Sequence, residues 1–156
     1  MAEHEHHYKI KVTWTGNRGT GTSGYREYDR THVISAEGKP DIDGSADPAF
    51  RGDVTRWNPE ELLLASVSAC HKLWYLHFCA VSGVVVADYV DEPEGTMVLS
   101  RDGAGHFTEV ALKPVVTLSK GDPQTALELH EEAHEKCFIA NSVKFPIRIE
   151  PVIKPA

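Results

Sequence analysis

The chain is short of several things, and each shortage excludes something. It has only three cysteines in 156 residues, an odd number and too few for the disulfide framework of a small secreted scaffold. No basic start followed by an apolar run marks a secretory leader, so a cytoplasmic, reduced protein is expected. The longest apolar stretch, residues 62–86, is interrupted by Ser66, Ser68, His71, Lys72 and His77. That predicts a core helix and not a membrane span. Positive charge is scarce: 16 Lys and Arg stand against 23 Asp and Glu, a formal net charge of −7. No basic stripe is visible to meet a nucleic acid or an anionic membrane. Gly16, Gly19, Gly21 and Gly24 are followed by no Gly-Lys-Ser/Thr, so they form no phosphate loop.

What is present fits one domain, residues 1–156, with 41% hydrophobic and 25% charged residues. A domain of this size buries roughly 68–70% of its unfolded surface and needs no staples. Residues 8–14 alternate apolar and polar and predict a half-buried strand. Residues 25–36 predict a second strand. Residues 37–57 are rich in Gly, Pro and Asp and read as one long loop carrying Arg51 and Arg56. Loops of that length are usually functional or mobile, so this one is expected across an active site or a subunit boundary. Strands follow around Val84–Ala87 and Thr96–Leu99, on either side of a turn near Asp91–Gly95. A further strand is predicted over 107–118, a helix over 124–137 and a last strand over 143–153. Pro146 and Pro151 mark that last strand as an edge. The order indicates an α+β fold.

The strongest local signal is the helix opening at Asn58-Pro59-Glu60-Glu61. Asn58 is a good N-cap, Pro59 suits the first helical position, and Glu61 completes a capping box. Gly83 is a natural stop. Apolar residues lie on nearly every face between them, which predicts a helix buried on most sides. At about 36 Å it is longer than one small domain surrounds, and a second copy of the chain would supply the missing cover.

Several residues can carry chemistry, each against a plainer reading. His130-Glu131-Glu132-Ala133-His134 matches H-E-x-x-H, which on a helix sets two histidines on one face for zinc. A third ligand is normally required, and the plainer reading is a charged, solvated helix face. His4, His6 and His7 sit at a chain end, where histidines usually do nothing specific. Cys79 lies about 13.5 Å along the helix from Cys70 and cannot bond it while the helix is intact; it reads as a small core residue. Cys70 reads as a buried inert thiol or as a reactive one, with Leu73 and Trp74 sharing its helix face as a pocket wall. His71 projects about 100° away from it and is more naturally a core or interface histidine.

Asn58-Pro59-Glu60-Glu61-Leu62-Leu63, Ser68-Ala69-Cys70 and His134-Glu135-Lys136-Cys137 with Asn141-Ser142 resemble the OsmC/Ohr family of thiol peroxidases. The likeness spans most of the chain and is nearest to an OsmC-like branch. Phe138 follows Cys137 where the best-known organic hydroperoxide resistance enzymes have proline. The resemblance implies antiparallel sheets wrapped around two long central helices in an intertwined homodimer, with active sites at the interface. It implies that Cys70 reduces an organic hydroperoxide and that Cys137 resolves the product as a disulfide. An external dithiol reductant then regenerates both, and no cofactor is needed. Glu60 takes the place of a glutamate that assists through an arginine, for which Arg51 is the first choice and Arg30 the alternative. A thiolate at Cys70 needs such an arginine, because burial alone raises a thiol pKa. Glu60 and Cys70 stand about 15 Å apart along one helix, so a two-fold dimer is expected to bring Glu60 of one chain to Cys70 of the other. Two other readings stay open: an OsmC-like binding or structural protein with inert thiols, and a zinc hydrolase built on His130 and His134.

Overall fold

The computed structural model describes residues 3–156, and it begins its main helix where the sequence signals it. The Asn58 side chain accepts a hydrogen bond from the Glu61 N–H at 2.9 Å, and Glu61 accepts one from the Asn58 N–H at 3.1 Å. This reciprocal capping box satisfies two donors that a helix start leaves free. The helix, α1, runs Pro59–Val81. It ends as the Val84 N–H returns to the Cys79 carbonyl at 3.0 Å and Gly83 takes φ +74°, a left-handed turn that favours glycine.

The chain falls into two compact units, the first ending at Leu62 and the second running from Leu63 to Ala156. The first holds an antiparallel sheet of β1 (Lys11–Trp14), β2 (His32–Ser35) and β3 (Ile42–Gly44), in that order. The expected long loop over 37–57 is therefore partly ordered. It contains β3 and a 3-10 turn, Pro48–Phe50, whose start is capped by the Asp47 carboxylate accepting from the Ala49 N–H at 2.8 Å. Elements of three residues are too short to show a period, which is why the sequence hid them. Every residue of β1 is exposed, against the expectation of a half-buried strand. Val12 is 61% and Trp14 44% exposed, and the buried side chains described in this unit are Ser45 and Asn58.

The second unit adds β4 (Val85–Asp91), β5 (Glu94–Leu99), β6 (Gly105–Leu112), β7 (Pro114–Lys120), β8 (Ile147–Ile149) and β9 (Val152–Pro155). Its second helix, α2, spans Pro123–Lys136. Two three-stranded sheets form, ordered β4-β7-β9 and β5-β6-β8. The strands expected around Val84–Ala87 and Thr96–Leu99 form on either side of the turn, and they pair with different partners, β4 with β7 and β5 with β6. The strand expected over 107–118 is two, parted at Lys113, and the strand expected over 143–153 is two, parted before Val152. Prolines at these corners lack a ladder N–H. The last strands lie at sheet edges, as Pro146 and Pro151 signal, but they pair in parallel, β8 with β6 and β9 with β7. The sheets are thus mixed, not purely antiparallel.

The corner is tied to α1 through Asp91. Its carboxylate accepts from the Lys113 N–H at 2.7 Å and from the Ser68 hydroxyl at 2.6 Å. The core divides accordingly. Tyr75, Cys79, Val84, Val116, Leu118, Ala126, Leu129 and Ala133 pack α1 and α2 against the first of these sheets. Val67 packs with Val110 and Leu112 on the other. Within this unit α1 buries one stripe, Val67, His71, Tyr75 and Cys79, and Leu73 is left 62% exposed. The chain alone does not bury α1 on most sides. No described helix is long and apolar enough to cross a membrane.

Candidate active site

Cys70 sits one position before His71 of the buried stripe and is half-buried. Its helix face continues one turn on as Leu73, Trp74 and His77, by the spacing of an α-helix. Cys137 arrives from the other helix. It is the C-cap of α2, with φ −62° and ψ 114°, so the chain leaves the helix there and enters a 3-10 turn over Ala140–Ser142. The Cys137 Sγ accepts the Ala140 N–H at 3.4 Å, and the Cys70 thiol is near enough to raise the Cys137 pKa. The two thiols that the resemblance pairs are therefore neighbours, both free.

Their environments differ. Cys137 is 1% exposed. Burial, partly offset by the Ala140 N–H and reinforced by the neighbouring Cys70, pushes its pKa up to about 11. At neutral pH it is a thiol and not a thiolate. Cys70 is the more accessible of the two residues. Cys79 is buried among Tyr75, Val84 and Val116, and burial pushes its thiol up as well, in keeping with a small core residue.

An apolar depression of about 280 Å³ is lined by Leu73, Trp74 and His77, in the turns of α1 beyond Cys70, and by Phe138, which follows Cys137. The Trp74 ring packs on Phe78 at 5.5 Å and meets Phe138 edge-on at 5.3 Å. The sequence flagged Leu73 and Trp74 as a wall but treated Phe138 only as a departure from proline; adjacency to Cys137 was the signal for its place in the wall.

The remaining predicted site residues belong to the first unit. The Arg30 guanidinium donates to the Tyr28 and Tyr25 carbonyls at 2.6 and 2.7 Å. It also lies over both rings, at 3.9 and 4.6 Å from the centroids. Arg51 lies 5.7 Å from the Tyr25 ring and makes no ion pair among the described residues. It is also the one described non-glycine residue at positive φ, +64°. Arg56 is bound to the His32 carbonyl at 3.3 Å and to Asp43 and Asp53 at 3.9 and 3.8 Å. One oxygen of Glu60, Oε2, is buried without a hydrogen-bond partner.

The H-E-x-x-H segment is solvated only in part, since Glu131 and Glu132 are exposed while His130 and Ala133 face inward. His130 is 3% exposed, its ring stacks on Tyr75 at 3.8 Å, and its Nδ1 is 2.9 Å from His71 Nε2. The core half of the motif thus serves a contact between α1 and α2. No cluster of three or more metal-binding side chains occurs among the described residues. His71 is a core histidine, as its position suggested.

Comparison with known proteins bears on the family and the fold. Residues 52–152 match the family model described as OsmC-like protein. The chain is 26% identical over 154 residues to the uncharacterized protein YmaD of Bacillus subtilis, covering 94% of this chain and 92% of that one. An OsmC-like protein of unknown function from Vibrio cholerae superimposes with a TM-score of 0.83 at 31% identity, covering 97% of this chain and 100% of the other. The organic hydroperoxide resistance protein OhrB of Bacillus subtilis shares the fold, with a TM-score of 0.58 at 23% identity over 94% and 98% of the two chains. The chain described here belongs to the OsmC-like protein family.

Proposed function

We propose that this protein is a cysteine peroxidase that reduces organic hydroperoxides. The observation that carries the reading is the meeting of two free thiols of unequal exposure, Cys70 half-buried and Cys137 buried, at the exit of α2. In the first step the Cys70 thiolate attacks the outer peroxide oxygen. The O–O bond breaks, the alkoxide leaves and takes a proton to become an alcohol, and Cys70 becomes a sulfenic acid. Cys137 then attacks that sulfur. The S–S bond forms, the S–OH bond breaks, and water leaves. An external dithiol reduces the disulfide by exchange and is itself oxidised.

The depression at Leu73, Trp74 and Phe138 would take the organic part of the peroxide, since burying apolar surface favours an alkyl substrate over hydrogen peroxide. Relatives named organic hydroperoxide resistance proteins are in line with this choice. For the cation that favours the Cys70 thiolate we choose Arg51 over Arg30, because two Arg30 donors are held by the Tyr28 and Tyr25 carbonyls and its guanidinium lies over both rings. The unpartnered Glu60 oxygen would orient that guanidinium through a charge-assisted hydrogen bond. A homodimer is supported by the apolar side chains that the single chain leaves exposed: Val12, Trp14 and Leu73. Such patches mark contact surfaces.

The test is consumption of cumene hydroperoxide with a dithiol reductant, in the wild type and in Cys70→Ser. Turnover in the first and its loss in the second are expected. Equal inactivity of both would leave an OsmC-like binding protein with inert thiols.

A further inference from the structure

The Phe138 side chain is unusual for its position. It is 68% exposed, at the first residue beyond a helix C-cap, where nothing in local backbone geometry asks for an aromatic ring. Yet its ring is seated edge-on against Trp74, with centroids 5.3 Å apart and planes at 75°. That is a favoured aromatic geometry. Trp74 is four residues beyond Cys70 on α1, and Phe138 is covalently next to Cys137. The two pairs close a loop: Cys70 to Trp74 along one helix turn, Trp74 to Phe138 through the ring contact, Phe138 to Cys137 through the backbone, and Cys137 back to Cys70 through the thiols.

Resting on the peroxidase reading above, we infer that Phe138 is a positioning residue for the second step: its contact with Trp74 holds Cys137 against Cys70 while the sulfenic acid waits. The step needs such a hold. A disulfide forms only with the two Cα atoms within about 7 Å, and Cys137 lies where α2 has already ended. Its backbone ties there are one helical turn, Asn141 N–H to the Cys137 carbonyl at 3.0 Å, and the long bond of its own N–H to His134, 3.4 Å. With so few backbone bonds, side-chain packing carries the rest of the hold on this 1% exposed residue. An edge-on aromatic pair shifts a local opening equilibrium by roughly 2- to 10-fold. The product is partitioned at Cys70. If Cys137 is in place, its sulfur attacks, water leaves and the disulfide forms. If it is not, the sulfenic acid persists and is open to a second equivalent of peroxide, which oxidises it to sulfinic acid.

The experiment reads that partition, which does not depend on how fast the sulfenic acid is made. Reduced full-length protein receives one equivalent of cumene hydroperoxide in the presence of a 1,3-dione trap. Peptide mass mapping then measures trapped Cys70 against the Cys70–Cys137 disulfide. Phe138→Ala is expected to raise the trapped fraction by roughly 2- to 10-fold over wild type. Phe138→Tyr, which keeps the ring, is expected to restore the wild-type ratio, and Phe138→Leu, which keeps apolar bulk without a ring, to fall nearer to alanine. A ratio in Phe138→Ala equal to wild type, with Cys70 oxidised in both, overturns the positioning role and leaves the peroxidase reading standing. Cys70 carrying neither trap nor disulfide in the wild type overturns the peroxidase reading and the role with it. The tyrosine and leucine variants decide the matter if alanine fails to fold.

Discussion

His71 and His130 meet nose to nose in the core, Nε2 to Nδ1 at 2.9 Å, and only one proton is available between them. The other nitrogen of His130, Nε2, is buried with no partner. Burial lowers the pKa of His71 to about 4, with the nearby His134 adding to the effect, and burial lowers that of His130 to about 3, with His71 adding to it. Both are neutral in the folded chain near pH 7. In the unfolded chain each regains a value near 6.5. Between pH 6.5 and 4 the unfolded state therefore binds protons that the folded state does not, so stability is complete above 6.5 and falls as pH drops. Each histidine contributes up to about 1.4 kcal/mol per pH unit in that window. Urea denaturation at pH 7 and pH 5 measures the loss. The double variant His71→Leu with His130→Phe is expected to flatten it, and an unchanged slope in that variant would assign the acid sensitivity to other groups.

Cys137 gives the opposite sign of pH dependence, and on a rate. With its pKa near 11, the thiolate fraction rises about tenfold per pH unit through the neutral range, and thiol attack on oxidised sulfur follows that fraction. Condensation of the Cys70 sulfenic acid with Cys137 is expected to accelerate up to about tenfold from pH 7 to pH 8. Rapid quench with alkylation and mass mapping, after a single equivalent of peroxide, follows the disulfide as it forms. A flat profile over that unit would mean that Cys137 attacks without first losing its proton.

Much of this was legible beforehand, and the limits have physical causes. The α1 start was readable because capping chemistry is local: Asn58, Pro59 and Glu61 act within one turn. Cys79 was readable as core because nine residues of helix separate it from Cys70 on the opposite face. The strand corners were not readable, since Pro114 and Pro151 interrupt ladders whose partners lie far away in sequence. His130 is hidden by the charge around it: Glu131, Glu132 and Glu135 are solvated while His130 turns toward Tyr75. The pairing of Cys70 with Cys137 came from resemblance, and no periodicity in the chain encodes it. The sequence also conceals that two donors of Arg30 are held by the Tyr28 and Tyr25 carbonyls.

The exposed β1 face makes the proposed homodimer testable apart from the chemistry. Val12 stands out of that strand 61% exposed, in a unit whose described buried side chains are polar. Covering an aliphatic side chain of this size is worth roughly 1.5–3 kcal/mol. Placing a carboxylate there, Val12→Glu, is expected to weaken self-association by tenfold or more. Sedimentation velocity across a concentration series reads this directly. An undisturbed dimer would put β1 outside the interface, and a wild-type monomer at every concentration would remove the dimer altogether.

Arg51 offers a case where stability and function should move in opposite directions. It closes the 3-10 turn Pro48–Phe50 with its N–H on the Pro48 carbonyl at 3.1 Å, and to do so it adopts φ +64° and ψ 27°. A side chain with a Cβ is penalised in that left-handed region by about 1–2 kcal/mol, and glycine is not. If Arg51 were only a turn residue, glycine would be the better choice, since its guanidinium makes no ion pair among the described residues. Arg51→Gly is therefore expected to raise stability by on the order of 1 kcal/mol and, under the proposed role of Arg51, to lower peroxide consumption by tenfold or more. Arg51→Lys keeps a positive charge and is expected to recover part of the activity without the gain in stability. Thermal unfolding and hydroperoxide assays on the same preparations check both halves. A glycine variant that is more stable and fully active would transfer the activating role to another cation, with Arg30 the next to be replaced.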